Sequence, residues 1–520
     1  MTQIAKNVGF NTVAALTAAA TGFLSSIIAA RILGPSAYGE FAFLIWMFAT
    51  VVLLADPGVS SATEKYVSEF EGVQRRSIAN SLTLVLLAAQ ASIGLAAGLL
   101  LINFGPAITG FLKQPSTFPY LIVFGLGVPT ALLAMALRAR LAGFQRYGLI
   151  SMVTVLSSIT TLAGTVALLK NGLGVRGLIW LSVSVYALQL LLFAGLVWKQ
   201  HNPWPLAPIP FSLIRRVALY CLGVSAWTSI DAILFQRSAT FFLGRYSTAD
   251  QIGYYGLAYG IAGTLVMTLP LAMAGVLMPA MSRYFGAGDR VAMQRVYSTA
   301  TRYLVILSLP LSFGCIAVAK PLVGILYGSD YLAMAMPLRI LLFSSAVSAM
   351  AGPGSALFLA LGKPYLAAVW GIPLALLNLA LAFALVPYHG ATGAALANSA
   401  CQVLGVAVAT SYLLHFEHFR LPLSAILRTV LAASISAGLA YLVAQQTTGW
   451  PGLLAAITLG AVVYVVALIF SGALDASDFL LLRQMTNVLP NRIGIIVGKL
   501  VNLSEEASRR SGRFSRVRAF

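Results

Sequence analysis

Apolar runs of about 20 residues, each closed by charges or by Gly and Pro, recur along almost the whole chain. A helix rises about 1.5 Å per residue and a bilayer core is about 30 Å thick, so this pattern predicts membrane-spanning helices. Fourteen runs are separable. They lie near 9–30, 38–58, 79–102, 118–137, 149–169, 175–198, 217–243, 252–279, 303–319, 334–360, 364–386, 391–415, 426–444 and 452–472. The corner between the first two, Ala30 to Gly39, holds Arg31, Gly34, Pro35 and Tyr38. A Gly-Pro pair is a turn signal, so one helix ends there and the next begins within a few residues.

The punctuation repeats. Leu33-Gly34…Gly39 returns as Leu243-Gly244…Gly253, and Gly58-Val59…Lys65-Tyr66 returns as Gly275-Val276…Arg283-Tyr284. Pro119 matches Pro337, Gly143…Tyr147 matches Gly362…Tyr365, and Gly174-Val-Arg-Gly177 matches Gly390-Ala-Thr-Gly393. The order and the near-constant offset predict two pseudo-symmetric six-helix lobes, 1–216 and 217–425. Two further helices (426–472) and a basic tail (473–520) follow. Six crossings return the chain to its starting side, so the lobes are parallel repeats, an arrangement in which transporters bind substrate between the halves and alternate access.

Composition agrees with an all-α polytopic membrane protein: 59% of residues are hydrophobic and only 9% charged, against about 25% charged in soluble domains. The net charge of +19 would suggest nucleic acid in a soluble chain, but no basic domain interleaved with aromatics exists, and nucleic acid is not expected as a partner. With the N-terminus inside, 25 of the 33 basic residues fall on the inner side and 8 on the outer. The inner set includes Lys65, Arg75, Arg76, Arg138, Arg140, Arg146 and the tail arginines Arg509, Arg510, Arg513, Arg516 and Arg518. That bias obeys the positive-inside rule and predicts that both termini are cytoplasmic, with the tail facing anionic lipid. Cys221, Cys315 and Cys401 all lie in apolar runs, so neither a disulfide framework nor a metal site is expected, and no cofactor is implied.

Several stretches carry a resemblance. Ala30-Arg-Ile-Leu-Gly-Pro-Ser-Ala-Tyr-Gly39, Asp56-Pro57-Gly58-Val59, Asp231…Leu243-Gly244, Gly253-Tyr254-Tyr255, Leu326-Tyr-Gly-Ser-Asp-Tyr331 and Gly390-Ala-Thr-Gly-Ala-Ala395 make it up. Together they resemble the bacterial polysaccharide flippases of the multidrug/oligosaccharidyl-lipid/polysaccharide exporter superfamily. The resemblance spans about residues 5–415, and the last two helices fit the fourteen-helix members. It implies that a polyprenyl-pyrophosphate-linked oligosaccharide is carried from the inner to the outer leaflet of the cell membrane for surface polysaccharide biosynthesis. A glycan polymerase or assembly machinery is implied as a partner. Charge buried in hydrocarbon costs several kcal/mol, and cations lining a path reduce that cost, with Arg suited to phosphate oxygens.

Candidate residues follow from polar groups inside apolar runs. Asp231 and Arg237 interrupt the seventh run; six residues apart, they do not share a helix face, so each either lines a cavity or pairs with another helix. Arg31 either meets pyrophosphate or reaches the outer headgroups, and its charge is not demanded by the repeat, since Phe241 stands at the aligned position. Asn11, Thr21 and Ser25 belong to a stripe, with Asn7 and Thr17, that lines a cavity or packs helices. Asp56, Pro57 and Gly58 mark a break that serves a gate or caps the next segment. Glu64, Lys65 and Glu69 read as a solvated inner helix, and Tyr246, Tyr254, Tyr255 and Tyr259 as interfacial anchors or sugar-stacking rings. Competing readings are a lipid II flippase or drug/cation antiporter of the same superfamily and, from another class, a membrane glycan polymerase or ligase. The lipid II branch carries further arginines in its first helix, where Ala19 and Ser25 stand here, and such antiporters often use acids in the first lobe's helices, where the first span has none. No paired-carboxylate or metal-spaced cluster suggests an enzyme.

Overall fold

The corner at Gly34 is tighter than a loop. The first two apolar runs form two helices that meet directly at Gly34, where φ is 76° and ψ 171°, and that together make up α1 (Thr2–Leu54). Glycine alone takes that conformation without a Cβ clash, and Pro35 restarts the helix where no N–H is needed. The same device divides α15 (Tyr365–His415) at Gly390, with φ 50° and ψ −129°. At about 1.5 Å per residue the two helices of each pair together total more than twice a bilayer core, so each pair accounts for two of the predicted runs.

The computed structural model describes residues 2–112, 117–200, 205–231, 237–363 and 365–472, with backbone alone at 2–8, 200, 226–231, 267–276, 365, 367 and 368. Every regular element among them is helical. After α1 come α2 (Val59–Gly72), α3 (Arg76–Phe111), α4 (Phe118–Gly143), α5 (Tyr147–Lys170), α6 (Gly174–Gln200), α7 (Phe211–Asp231), α8 (Ser238–Tyr246) and α9 (Ala249–Ala262). A π-helical turn, Gly263–Met267, joins α9 to α10 (Thr268–Gly286). Next are α11 (Arg290–Ala317), α12 (Ala319–Tyr327), a 3₁₀ turn Ser329–Met334, α13 (Ala335–Met350) and α14 (Gly352–Ala360). Then follow α15, α16 (Leu423–Gln446) and α17 (Gly449–Ser471). Ten helices among the described residues are long and apolar enough to cross a membrane, with α1 and α15, each a pair of helices joined at a glycine, counting once. The tail from 473, with its arginines, lies outside the described residues.

The helices cluster into two compact units, Met1–Ala258 with Ala375–Asn398, and Tyr259–Leu374 with Ser399–Phe520. In the first, α3 and α4 approach at backbone distance. A Cβ on Gly98 would stand 2.2 Å from the Gly125 carbonyl oxygen, and one on Gly94 2.9 Å from Pro129 Cα. Membrane helices gain little from apolar burial against one another, so small residues that admit close van der Waals contact do the joining. A second core, around Tyr66, Leu82, Leu86, Val217 and Cys221, ties α2 to α3 and α7.

In the second unit the hairpin of α16 and α17 is joined by the Ser436 hydroxyl donating to the Gly460 carbonyl at 2.7 Å. Tyr464 anchors it to α11 by donating to the Ile306 carbonyl at 2.7 Å. Below α14, Glu417 is only 5% exposed and takes Lys363 on one oxygen and Arg290 on the other, the latter at 3.4 Å. The hydrogen bond to that carboxylate raises the Lys363 pKa.

Two basic residues expected in the inner loops are buried within helices, Arg302 in α11 and Arg140 in α4. Arg140 lies in the last helical turns of α4, fully buried. Its guanidinium donates to Thr83 Oγ1 at 2.7 Å and to Asn80 Oδ1 at 2.6 Å, both on α3. Asn80 in turn donates to the Pro205 carbonyl at 3.1 Å, and Ser81 accepts from the Ala207 N–H at 2.9 Å. A buried cation thus fastens α4 to α3 and, through Asn80, to the segment that leads into α7.

Candidate functional site

The two corners that the repeat aligns meet. Gly39 on the second half of α1 faces Ala249 and Gly253 at the start of α9, and a Cβ there would stand 1.8 Å from the Ala249 carbonyl oxygen. A Cβ on Gly244, in α8, would stand 2.3 Å from the Phe43 ring. Glycines recur in both corners because each backbone lies where a side chain of the other would have to go.

Arg237 begins α8 in the same neighbourhood. It is half-buried, and its Nη1 donates to the Trp46 carbonyl on α1 at 3.3 Å. That carbonyl also accepts the Thr50 hydroxyl at 2.7 Å. The Trp46 ring stacks on Phe43 with centroids 5.5 Å apart, while its indole N–H is buried without a hydrogen-bond partner. A buried donor costs about 1–3 kcal/mol when left unmatched. One residue further on, the Ser238 hydroxyl accepts from Asn378 at 3.0 Å, fixing the start of α8 against α15. Asp231 is the last described residue of α7, and its side chain lies outside the described residues.

The first half of α1 carries the remaining cavity candidates. Asn11 and Arg31 are exposed; Thr21 and Ser25 are half-buried. Thr21 donates to the Thr17 carbonyl at 2.8 Å, so its proton is held within the helix and only its lone pairs face outward. Ser25 Oγ is buried without a hydrogen-bond partner. Arg31 stands one turn before the Gly34 break, whereas Arg237 contacts the half of α1 beyond it.

The gate candidates form a compact turn. Gly58 has φ 79° and is buried; a Cβ there would lie 2.9 Å from the Cys221 carbonyl oxygen of α7. The Asp56 carboxylate accepts the Ser60 N–H at 3.3 Å and so caps the first turn of α2. Half-buried Pro57 lies between them. The chain breaks here because α1 must end, turn under α7 and restart as α2 within four residues.

Helix α2 is more engaged than a solvated face. Lys65 Nζ lies 4.0 Å from the Tyr220 ring centroid, Glu69 pairs with Arg216 at 3.1 Å, and Glu64 accepts from Tyr147 at 3.3 Å. These contacts bind α2 to α5 and α7 at one end of the unit. Tyr254 and Tyr255 are buried, while Tyr246 and Tyr259 are exposed.

Sequence reasoning does not single out three features that the structure makes prominent: Trp46, the buried role of Arg140, and Gln90. Gln90, fully buried in α3, has neither amide atom hydrogen-bonded among the described residues. A lone amide in the middle of an apolar run is the signal that could have found it. No group of three or more His, Cys, Asp or Glu among the described residues could hold a metal ion.

The family model described as polysaccharide biosynthesis protein matches residues 28–336 of the chain. A Haloferax volcanii protein named probable low-salt glycan biosynthesis flippase Agl15 is 24% identical over 425 residues, covering 81% of this chain and 85% of that protein. The Rhizobium meliloti succinoglycan biosynthesis transport protein ExoT is 25% identical over 336 residues, 63% of each chain. Among solved structures, a lipid II flippase MurJ in an inward closed conformation superposes with a TM-score of 0.71 at 17% identity, covering 88% of this chain and 97% of that one. An inward-facing multidrug resistance MATE family transporter of the MOP superfamily gives 0.65 at 15% identity, covering 76% and 95%. At these identities the structural likeness is one of fold.

Proposed function

The chain belongs to the polysaccharide biosynthesis protein family, and on that premise we propose that it is a flippase moving a polyprenyl-pyrophosphate-linked oligosaccharide from the inner to the outer leaflet. It is a multi-pass membrane protein and a transporter rather than an enzyme, in keeping with relatives named as a glycan biosynthesis flippase and a succinoglycan transport protein. The observation that carries the reading furthest is the half-buried Arg237 beside a tryptophan whose indole N–H is unmatched. A pyrophosphate offers many acceptor oxygens and needs cations that do not move, and a guanidinium held by a helix carbonyl meets that need.

In this proposal Arg237 and Asp231 contact the polar head, with Arg31, Asn11, Thr21 and Ser25 along its path. Asp56, Pro57 and Gly58 form the hinge where α1, α2 and α7 adjust between states. Fourteen crossings, cytoplasmic termini and lobes at 1–216 and 217–425 complete it, and the left-handed φ shared by Gly174 (53°) and its repeat partner Gly390 (50°) supports that division. Anionic lipid meets the tail, and a glycan polymerase or assembly machinery takes the product.

The test uses a glycan-producing host deleted for the protein and lacking a paralogue. Deletion is expected to trap lipid-linked repeat units on the inner leaflet, and Arg237→Ala is expected to do the same at normal membrane abundance. Normal surface glycan in the deletion strain overturns the function, whereas lost abundance of Arg237→Ala makes that arginine structural. Cysteines introduced by Gly72→Cys and Ala287→Cys are expected to label from the cytoplasm only.

A further inference from the structure

The hairpin of α16 and α17 closes one wall of a cavity of about 720 Å³ that lies wholly within the second unit. That volume is within the roughly 300–1,000 Å³ of small-molecule sites and far exceeds the needs of one bare ion. Lys320 of α12 and Arg339 of α13 supply one side; Tyr441, Gln445, Thr447 and Thr448 supply the other. None of the residues lining it is acidic.

The charged side chains that line the cavity, Lys320 and Arg339, share one sign. Arg339 Nε donates to the Ile316 carbonyl at 3.2 Å, which fixes the guanidinium at the wall. Two helices begin at this cavity, α12 at Ala319 and α17 at Gly449, and two end there, α11 at Ala317 and α16 at Gln446; Thr448 precedes α17 in extended conformation with no side-chain cap bond. The dipoles of the beginning and ending helices oppose one another, so the positive potential rests on the two cations, while the first-turn N–H groups and the Thr448 hydroxyl remain as donors. Hydroxyls and an amide on the hairpin wall suit the polar substituents that accompany an anion.

We propose that this cavity binds a phosphate-ester headgroup, independently of the transport reading. The place favours a lipid as the source. Helix α16 has 24 residues, about 36 Å, so the turn at Thr447 and Thr448 lies at the level of bilayer phosphates. On the charge bias this is the outer surface, where the protein otherwise keeps few cations. A bound headgroup would bridge α12 and α13 to the hairpin and fasten the two appended helices to the rest of their unit.

The experiment titrates the purified full chain, in neutral detergent, with phosphatidylglycerol, phosphatidylcholine and sn-glycerol 3-phosphate, and reads bound ligand by native mass spectrometry. Phosphatidylglycerol is expected to bind tighter than phosphatidylcholine. Lys320→Ala should weaken it roughly fivefold, and Lys320→Ala with Arg339→Gln roughly 25-fold, taking about 1 kcal/mol per surface cation. Lys170→Ala, an exposed cation elsewhere, should leave it unchanged. Competition by sn-glycerol 3-phosphate assigns the site to soluble phosphate esters as well; its failure to compete assigns the site to lipid. Equal phosphatidylglycerol binding by wild type and Lys320→Ala overturns the proposal. Lys320 is exposed, so its substitution remains decisive even if the Arg339 variant fails to fold.

Discussion

Gly39→Ala adds one methyl group at the tightest backbone approach between the two corners. The new Cβ would lie 1.8 Å from the Ala249 oxygen, 2.4 Å from its carbonyl carbon and 3.2 Å from the Gly253 nitrogen. Ordinary contact begins near 3.5 Å, so the start of α9 must retreat by about 1.7 Å. No rotamer change relieves this, because the obstacle is main chain. Overpacking of this kind costs about 1–3 kcal/mol, and a backbone shift puts Gly39→Ala at or above the upper end. Two other glycines of α1 calibrate the measurement. Gly22 has nothing within 4 Å, so Gly22→Ala should be neutral or stabilising by up to about 1 kcal/mol. Gly34 is equally open but sits at φ 76° and ψ 171°, a region essentially reserved for glycine, so Gly34→Ala should cost about 1–3 kcal/mol through strain alone. Thermal unfolding of the purified full chain in detergent, followed by tryptophan fluorescence, should rank the variants Gly22→Ala, Gly34→Ala, Gly39→Ala in falling stability. A Gly39→Ala protein as stable as Gly22→Ala refutes the close approach of the corners.

Arg140→Ala should destabilise by about 1–3 kcal/mol for each polar partner orphaned on α3, with Arg140→Met losing less because it refills the volume; unchanged melting of Arg140→Ala would exclude the brace. Glu417→Gln should lower stability by about 1 kcal/mol, a modest value because Arg290 is largely exposed, and the loss should be absent when Lys363→Met and Arg290→Met are already present. The raised Lys363 pKa means its share of that stability holds through neutral pH and is lost only as pH rises past the ordinary lysine range, which a melt series in alkaline buffers checks.

The broad architecture is legible in the sequence because a membrane forces it: a crossing helix must be apolar for about 20 residues, and the corners must use residues that leave the helix. Gly34 and Gly390 are both marked by their neighbours, and both have positive φ. The seventh run predicts one helix over 217–243; α7 is described to Asp231 and α8 from Ser238, and the stretch between them lies outside the described residues. Arg237 is conspicuous as a cation inside such a run. Its partner is not, because the acceptor is a main-chain carbonyl, and every residue carries one. The Asp56 hydrogen bond to Ser60 is one of the two alternatives its position allows, since Asp before a Gly-containing break is a common way to start a helix.

Arg140 shows where counting charges fails. Arg138 and Arg140 are two residues apart, about 200° around a helix, so if one faces water the other faces the bundle. The structure has Arg138 exposed and Arg140 fully buried, yet both enter the inner-side count with equal weight. The sign of the bias survives without Arg140, since the inner side keeps three times the basic residues of the outer. The meaning of the residue changes completely. Its partners on α3, Asn80 and Thr83, sit three apart at helical spacing and read from sequence as ordinary polar residues near a helix start. Only the juxtaposition of α3 with α4 turns them into acceptors for a cation. Helical phase identifies which basic residue near a helix end can be structural, and packing against a polar face decides that it is.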